Sequence, residues 1–395
     1  MNGRRTMNSD YRGILLIMKS AITRQPEVLP EGFDLEAQLD LLKMHHMFPL
    51  IYDGAVRCGI SQQEPFMQEL LRVYFKAIQK SDGQQRQVER IREAFRQANI
   101  DHILLKGSRM KHLYPAPELR YMGDADILIR VEQYEKIVPV MEGLGFHYDY
   151  ESDHEIIWRH EELFLELHKY LIPSYNLDFY GYYGNGWQLA VKGESSEHTM
   201  KPEDEWIFLF THFAKHYRDG GAGCRYVADL WLWRRDYPNM DESYILDVLK
   251  KMQLDVFYRH ILRLLDYWFE DGAGDETLDI ITEFIFFSGS WGRDKLRALS
   301  QTLRDTKRSL MGSSGRLVYL WKTAFPGVEV LRNKYRILCK TPWLLPVVWL
   351  VRFFYKLFFE TRNVVEKMTM AKDLTQENLR LRQEMLNLVG LDYNF

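Results

Sequence analysis

Cysteine is scarce: the three present, Cys58, Cys224 and Cys339, are widely spaced and odd in number. No zinc-type Cys spacing and no disulfide framework can be drawn from them, so a reducing interior is the expected setting. An excess of one charge is missing as well. Lys and Arg number 52 against 55 Asp and Glu, a formal net charge of −3, which gives no clear signal for nucleic acid. Long apolar runs are also lacking. Residues 13–18 (Gly-Ile-Leu-Leu-Ile-Met) follow Arg4 and Arg5, but Lys19 ends the run before it reaches the length of a secretory signal. The later apolar stretch 343–359 is interrupted by Arg352 and Lys356, and its uncharged part falls well short of the roughly 20 residues a spanning helix needs. A cytoplasmic protein without a transmembrane segment is expected. There is no internal repeat and no low-complexity block.

What is present is the material of a folded protein. Apolar residues make up 46% and charged residues 27% of 395 positions, too long a chain for one ordinary core. Residues 34–98 read as helix, with Phe66, Leu70, Leu71, Tyr74, Phe75 and Ile78 at helix-face spacing and then Val88, Ile91 and Phe95. The pattern changes at 101–106, a short apolar run stopped by glycine, which predicts a strand. A short helix, the turn-rich Tyr114-Pro115-Ala116-Pro117 and a second strand at 124–131 follow. A helix over 132–143 and strands at 146–150, 155–159 and 163–170 complete a small mixed sheet. Glycine and tyrosine crowd 180–187, which predicts a loop leaving that domain. Everything after Pro202 reads as helix, ending in a charged helix over 373–388. The expected fold class is α+β: an N-terminal helical region (1–98), a small mixed-sheet core (99–190), a helical domain (200–300) and a C-terminal helical extension (301–395).

Asp124 and Asp126 open the second strand, ahead of Ile127-Leu128-Ile129. Side chains two apart on a strand share a face, so both carboxylates converge while Ala125 points away. Adjacent like charges repel, and a cation such as magnesium, which prefers oxygen ligands and shares phosphate oxygens, relieves the repulsion. Two solvated acids at an exposed strand start are the plain alternative. Upstream stands Lys106-Gly107-Ser108, between a strand and a short helix. Glycine permits close backbone approach to a phosphate, and amides with a serine hydroxyl bind anions, although plain helix capping uses the same residues. A third acid, Glu166, lies in the apolar strand Leu163-Phe164-Leu165-Glu166-Leu167-His168, with Phe164, Glu166 and His168 on one face. A metal or a catalytic proton transfer gives such an acid a partner; an edge-strand glutamate is the other reading.

Residues 104–131, from Leu-Leu-Lys-Gly-Ser through Leu-Arg-Tyr-Met-Gly-Asp-Ala-Asp-Ile-Leu-Ile-Arg-Val, resemble the uncharacterised nucleotidyltransferase-like proteins of the DNA polymerase β superfamily. Gly107, Ser108, Asp124, Asp126 and Glu166 stand at the places of that superfamily's Gly-Ser element, Asp-x-Asp and later acid. Arg120, Met122 and Gly123 match its Arg-x-Met-Gly stretch, and Glu166-Leu167-His168 its Glu-Leu-His. The similarity runs on through 211–216 and 225–230 to Phe325-Pro326 and 343–346. One departure is that fifteen residues separate Ser108 from Asp124, slightly more than the usual gap.

The resemblance implies that Asp124, Asp126 and Glu166 hold Mg2+ or Mn2+. It also implies that Lys106, Ser108 and Arg120 orient the phosphates of an NTP substrate. A nucleoside monophosphate would then pass to a small-molecule or protein acceptor, with release of pyrophosphate. A non-catalytic nucleotide-binding module with the same fold is the alternative. A sugar-nucleotide glycosyltransferase also uses Asp-x-Asp, but too few βα units precede Asp124 for its larger sheet. His212 and His216 stand at metal-ligand spacing without the glutamate of a zinc hydrolase. Polar packing is one reading of them; the resemblance assigns them, with Arg225 and Asp229, to the far wall of the nucleotide cleft. Arg225 and Asp229, four apart on a helix, are alternatively a pair of their own. Stretch 343–359 is expected to be buried in the helical region; a surface helix touching a membrane or a partner is the other reading.

Overall fold

Alternating side chains decide the central layer. The computed structural model describes residues 7–173, 176–193, 195–290, 292–308, 321, 324–331, 335, 337–359 and 374–393. Its sheet contains β1 (His102–Leu105), β2 (Ala125–Ile129), β3 (His147–Glu151), β4 (Glu155–Arg159), β5 (Phe164–His168), β6 (Ala190–Lys192) and β7 (Glu197–Met200), in the order β3-β4-β5-β2-β1-β7-β6. β2 runs parallel to β5 and antiparallel to β1. Pairing opposes Ala125 to Leu165 and Ile127 to Leu167, while Ile156 and Trp158 of β4 oppose Leu167 and Leu165. These side chains therefore share one face, with Leu104 opposite Ile127. That face is covered by Val88, Ile91 and Phe95 of helix Pro65–Gln97 and by Ile137 and Met141 of helix Tyr134–Gly143. Each such side chain taken out of water stabilises the fold by about 1.5–3 kcal/mol. The pleat turns Asp126, Glu166, His168 and Glu155 to the opposite face.

The expected α+β class is what is found, but the sheet is larger than the five predicted strands. Residues 177–183 are a helix (Leu177–Tyr183) where a loop was expected. Gly184 and Gly186, at φ 50° and 84°, then turn the chain into β6 and β7. β7 returns beside β1 in parallel, pairing Ile103 with His198. β6 has only three residues, Ala-Val-Lys, and β7 is largely polar, so no apolar run announced them. The first-turn proline of helix Pro65–Gln97 suits its start. Of its predicted apolar face, Leu70 is buried but Phe75 is 57% exposed. The apolar stretch 13–18 lies within helix Ser9–Thr23 and is wholly buried.

Midway along helix Pro65–Gln97 the buried face turns polar. Gln84 donates to the Met122 carbonyl at 3.0 Å, and the Lys111 ammonium donates to Ser81 Oγ at 2.8 Å and Gln84 Oε1 at 3.3 Å. Burial lowers the Lys111 pKa to about 8; Arg120 and Lys80 add to the shift, while Glu118 and Asp82 oppose it. Between that value and the ordinary 10.5 the unfolded chain binds more protons, so stability rises with pH across this window. We expect wild type to gain about 1–2 kcal/mol relative to Lys111→Met between roughly pH 7.5 and 9.5 in urea unfolding. An unchanged difference between the two proteins would show that the ammonium is not strained by burial.

The chain divides into two compact units, residues 1–215 with 222–291, and residues 216–221 with 292–395. In the first, helices Pro202–Asp219 (up to Lys215), Cys224–Asp236, Glu242–Lys251, Asp255–Phe269 and Glu276–Ser288 follow the sheet. In the second, Ala298 and Leu299 of helix Asp294–Arg308 pack with Leu374 and with Leu379 of helix Gln376–Val389. The Arg382 guanidinium there donates to the Tyr217 and Arg218 carbonyls, each at 2.9 Å.

The expectation of burial for 343–359 is corrected. Val348 packs inward, but Trp343 is 75% exposed and Val347, Leu350, Val351, Phe354 and Tyr355 are exposed too. Apolarity all round helix Leu345–Phe359 fits a buried helix as readily as a surface one, and periodicity cannot separate them. The side chains of Phe353, Lys356 and residues 357–359 lie outside the described residues. Among the described residues, no helix is long and apolar enough to cross a membrane.

Candidate active site

The site is built where β1 ends and β2 begins. Lys106 immediately follows β1, at φ 41°, a left-handed conformation that costs a lysine roughly 1–3 kcal/mol. Its ammonium donates to Asp126 Oδ1 at 2.7 Å. His168 Nε2 lies 2.8 Å from the same oxygen and 3.5 Å from Glu166 Oε2. Because an ionised Asp126 only accepts, Nε2 carries the proton in that bond. Asp126 and Glu166 are direct register partners on parallel strands, so Glu166 stands on the same face beside Asp126. Together, Asp126, Glu166 and His168 present ligand atoms within 4.8 Å of one another. Asp124 lies just before β2, outside that set, yet its charge acts on Lys106 and Glu166.

The electrostatics divide the acids. Burial works against the Asp126 carboxylate, but Lys106 and His168 outweigh it and hold Asp126 well below the usual range. For Asp124 the balance goes the other way: burial and the Asp126 charge raise it, and Lys106 and Arg225 only partly offset them. Glu166 is pushed up to about 7 by burial, against the hydrogen bond from His168 and with the charges of Asp126 and Asp124. Burial and Lys106 oppose a charged His168, yet its bonds to Asp126 and Glu166 lift it to about 9. Asp126 and Glu166, paired side by side, with Asp124 close enough for its charge to act on Glu166, are hard oxygen donors of the kind a divalent cation takes. In this structure the Lys106 ammonium supplies part of that positive charge.

Gly107 also has a steric reason of its own. A Cβ there would lie 2.9 Å from Arg120 Nη1 and from Met122 Cγ and Sδ, so glycine lets β1's end pack against the segment that carries Asp124. The helix it belongs to, Lys106–Met110, is only five residues long and carries little macrodipole. Ser108 Oγ is buried without a hydrogen-bond partner.

Two further assignments are corrected. Arg225 and Asp229 do not pair with each other. Asp229 is gripped by Arg120, Nε to Oδ1 at 3.0 Å and Nη2 to Oδ2 at 2.8 Å, and by the Tyr114 hydroxyl at 2.9 Å. Arg225 instead donates to the Tyr121 carbonyl at 2.9 Å. Reach decides it: a buried two-pronged bond to Arg120 satisfies the carboxylate better than a neighbour on its own helix. The Arg120 guanidinium is therefore turned to Asp229. His212 is half-buried and stacks on Tyr226, ring centroids 5.8 Å apart. Burial raises the pKa of the Tyr226 hydroxyl; Arg225 and Lys106 oppose the shift, and Asp124 and Asp229 add to it. His216 falls in the second compact unit. Neither histidine belongs to a candidate metal cluster among the described residues.

The site residue that was read on the right face but assigned no role is His168. The signal was available: it follows Glu166 by two on one strand and so shares its face.

The family described as uncharacterised nucleotidyltransferase matches residues 31–270. The chain belongs to that family. No curated protein and no solved structure matches it. The matched span contains β1 to β7 and the helices through Asp255–Phe269, and so includes Lys106, Asp124, Asp126, Glu166, His168 and the Arg120–Asp229 pair. In a nucleotidyltransferase family member, an NTP is the substrate the name indicates.

Proposed function

We propose that the chain is a divalent-metal-dependent nucleotidyltransferase that moves a nucleoside monophosphate from an NTP to an acceptor hydroxyl. The observation that carries this reading is the side-by-side pairing of Asp126 and Glu166, with Lys106 bonded to Asp126. Asp124, Asp126 and Glu166 would hold Mg2+ or Mn2+, which supplies charge neutralisation on the phosphates and on the acceptor oxygen. Glu166, on the same face beside Asp126, is the carboxylate placed to take the acceptor's proton. The acceptor oxygen forms a bond to the α-phosphorus, the bond to the β-phosphate bridge breaks, and pyrophosphate leaves. Ser108, whose buried hydroxyl lacks a partner, donates to a phosphate oxygen. Lys106 serves Asp126 before nucleotide binds and offers its charge to the phosphates afterwards. His46 stacked on Tyr121 at 4.8 Å and Lys80 over the same ring at 4.6 Å add aromatic and positive surface next to the 120–124 segment.

The test incubates purified chain with each of the four NTPs, with Mg2+ or Mn2+ and with chelator. Thermal stabilisation and pyrophosphate release are the readouts. Metal-dependent stabilisation by at least one NTP and release of pyrophosphate with a cell-extract acceptor are expected. Stabilisation without turnover would leave the non-catalytic nucleotide-binding module; neither signal would remove the nucleotide reading altogether.

A further inference from the structure

Next to the acidic site, on the same sheet face, stands a second group of ligand atoms. Glu155 of β4 is the direct partner of His168 on β5, and His154 precedes it. Ligand atoms of His154, Glu155 and His168 lie within 4.8 Å of one another. His154 Nε2 is 3.2 Å from Glu155 Oε2, and the two imidazole rings are 5.9 Å apart at 62°. Ligands of a tetrahedral zinc, with bonds near 2.0–2.1 Å, sit about 3.3 Å apart, so the His154–Glu155 spacing already matches one edge of such a site.

His168 provides the independent observation. Its side chain is 3% exposed and its Nε2 is engaged by Asp126, while Nδ1 is buried without a hydrogen-bond partner. A metal at Nδ1 would displace the proton there and leave the Nε2 proton on Asp126, the tautomer in which histidine binds metals. A metal-bound histidine commonly gives its other N–H to a carboxylate, and here Asp126 is that carboxylate. On the far side of His154, Ser152 Oγ is 3.5 Å from Nδ1, close to the ring nitrogen that would not bind metal.

We infer that His154, Glu155 and His168 form a transition-metal site, with His2Glu donors suited to Zn2+ rather than to Mg2+. It is distinct from the cation site of the acids and touches it through one imidazole. A metal there fixes the His168 ring and so the orientation of Asp126. The inference stands on these ligands alone and does not require nucleotidyl transfer.

The experiment uses the untagged full chain, stripped with chelator and dialysed. Cobalt(II) is titrated and followed by its visible d–d absorption, zinc is used to displace it, and bound zinc is counted by elemental analysis. One zinc per chain is expected, with a tetrahedral cobalt spectrum. His154→Gln and Glu155→Gln should each weaken cobalt binding by about tenfold or more, and Asp124→Asn should leave it unchanged. Two independent ligand variants guard against one that misfolds, and circular dichroism reports which ones fold. No cobalt spectrum, or equal binding by both folded ligand variants, overturns the site. Loss of cobalt on Asp124→Asn, with both ligand variants unaffected, puts the ion on the acids instead and overturns it equally. Magnesium-dependent NTP stabilisation is measured on the same samples. Its absence beside intact cobalt binding removes the nucleotidyltransferase reading alone.

Discussion

Asp124→Asn is expected to abolish magnesium-dependent stabilisation by NTP while leaving the metal-free protein at least as stable as wild type. The asymmetry between the two aspartates is the reason. Asp126 is held by Lys106 and His168, so replacing it breaks a buried network and confuses loss of a ligand with loss of structure. Asp124 is pushed toward its neutral form by burial and by Asp126. Replacing its carboxylate with an amide removes a like-charge repulsion at little steric cost. Loss of one carboxylate from a hard-cation site should lower turnover by about a thousandfold or more, equivalent to roughly 4 kcal/mol of transition-state stabilisation. Thermal unfolding with and without Mg2+ and NTP, on both proteins, reads both halves of the expectation. An NTP-dependent shift of wild-type size in Asp124→Asn would take the metal away from this acid.

Period-two alternation explains why the centre of the fold and the site were legible. Once β2 and β5 were read as strands, Asp126 and Glu166 had to share faces with alternate neighbours, and Ala125, Ile127, Leu165 and Leu167 had to turn the other way. Pairing of β2 with β5, which sets Asp126 beside Glu166, is a long-range choice that no local pattern specifies. β6 and β7 stayed hidden because a three-residue Ala-Val-Lys edge strand and a largely polar four-residue strand beside it are too short to carry a hydrophobic signature. Arg120 and Asp229 were both seen, but 109 positions separate them. A helix neighbour looked like the natural partner because sequence distance stood in for spatial distance. His154 and Glu155 were passed over for a related reason: their meaning comes from His168 across a strand pair, not from spacing within one segment.

The Arg120–Asp229 pair carries the other large expected effect. Both side chains are buried, the bond is two-pronged, and the Tyr114 hydroxyl completes the carboxylate's partners. Asp229→Ala would leave a guanidinium inside the protein without its counter-charge, a change that costs about 3–5 kcal/mol. That corresponds to a fall of roughly 10 °C in the unfolding midpoint of a unit this size. Asp229→Asn keeps one hydrogen-bond acceptor but no charge and should fall between. The double change Arg120→Met with Asp229→Leu removes the unpaired charge and should recover much of the loss, because well-packed apolar replacements of buried ion pairs are often neutral. Recovery of stability without recovery of NTP-dependent stabilisation would separate the two roles of the pair. Arg120 begins the segment that ends in Asp124, and Asp229 anchors it to helix Cys224–Asp236, so the apolar pair can hold the fold without setting the acids. If Asp229→Ala unfolds within about 1 kcal/mol of wild type, the guanidinium has found other partners and the pair does not hold the Asp124 segment in place.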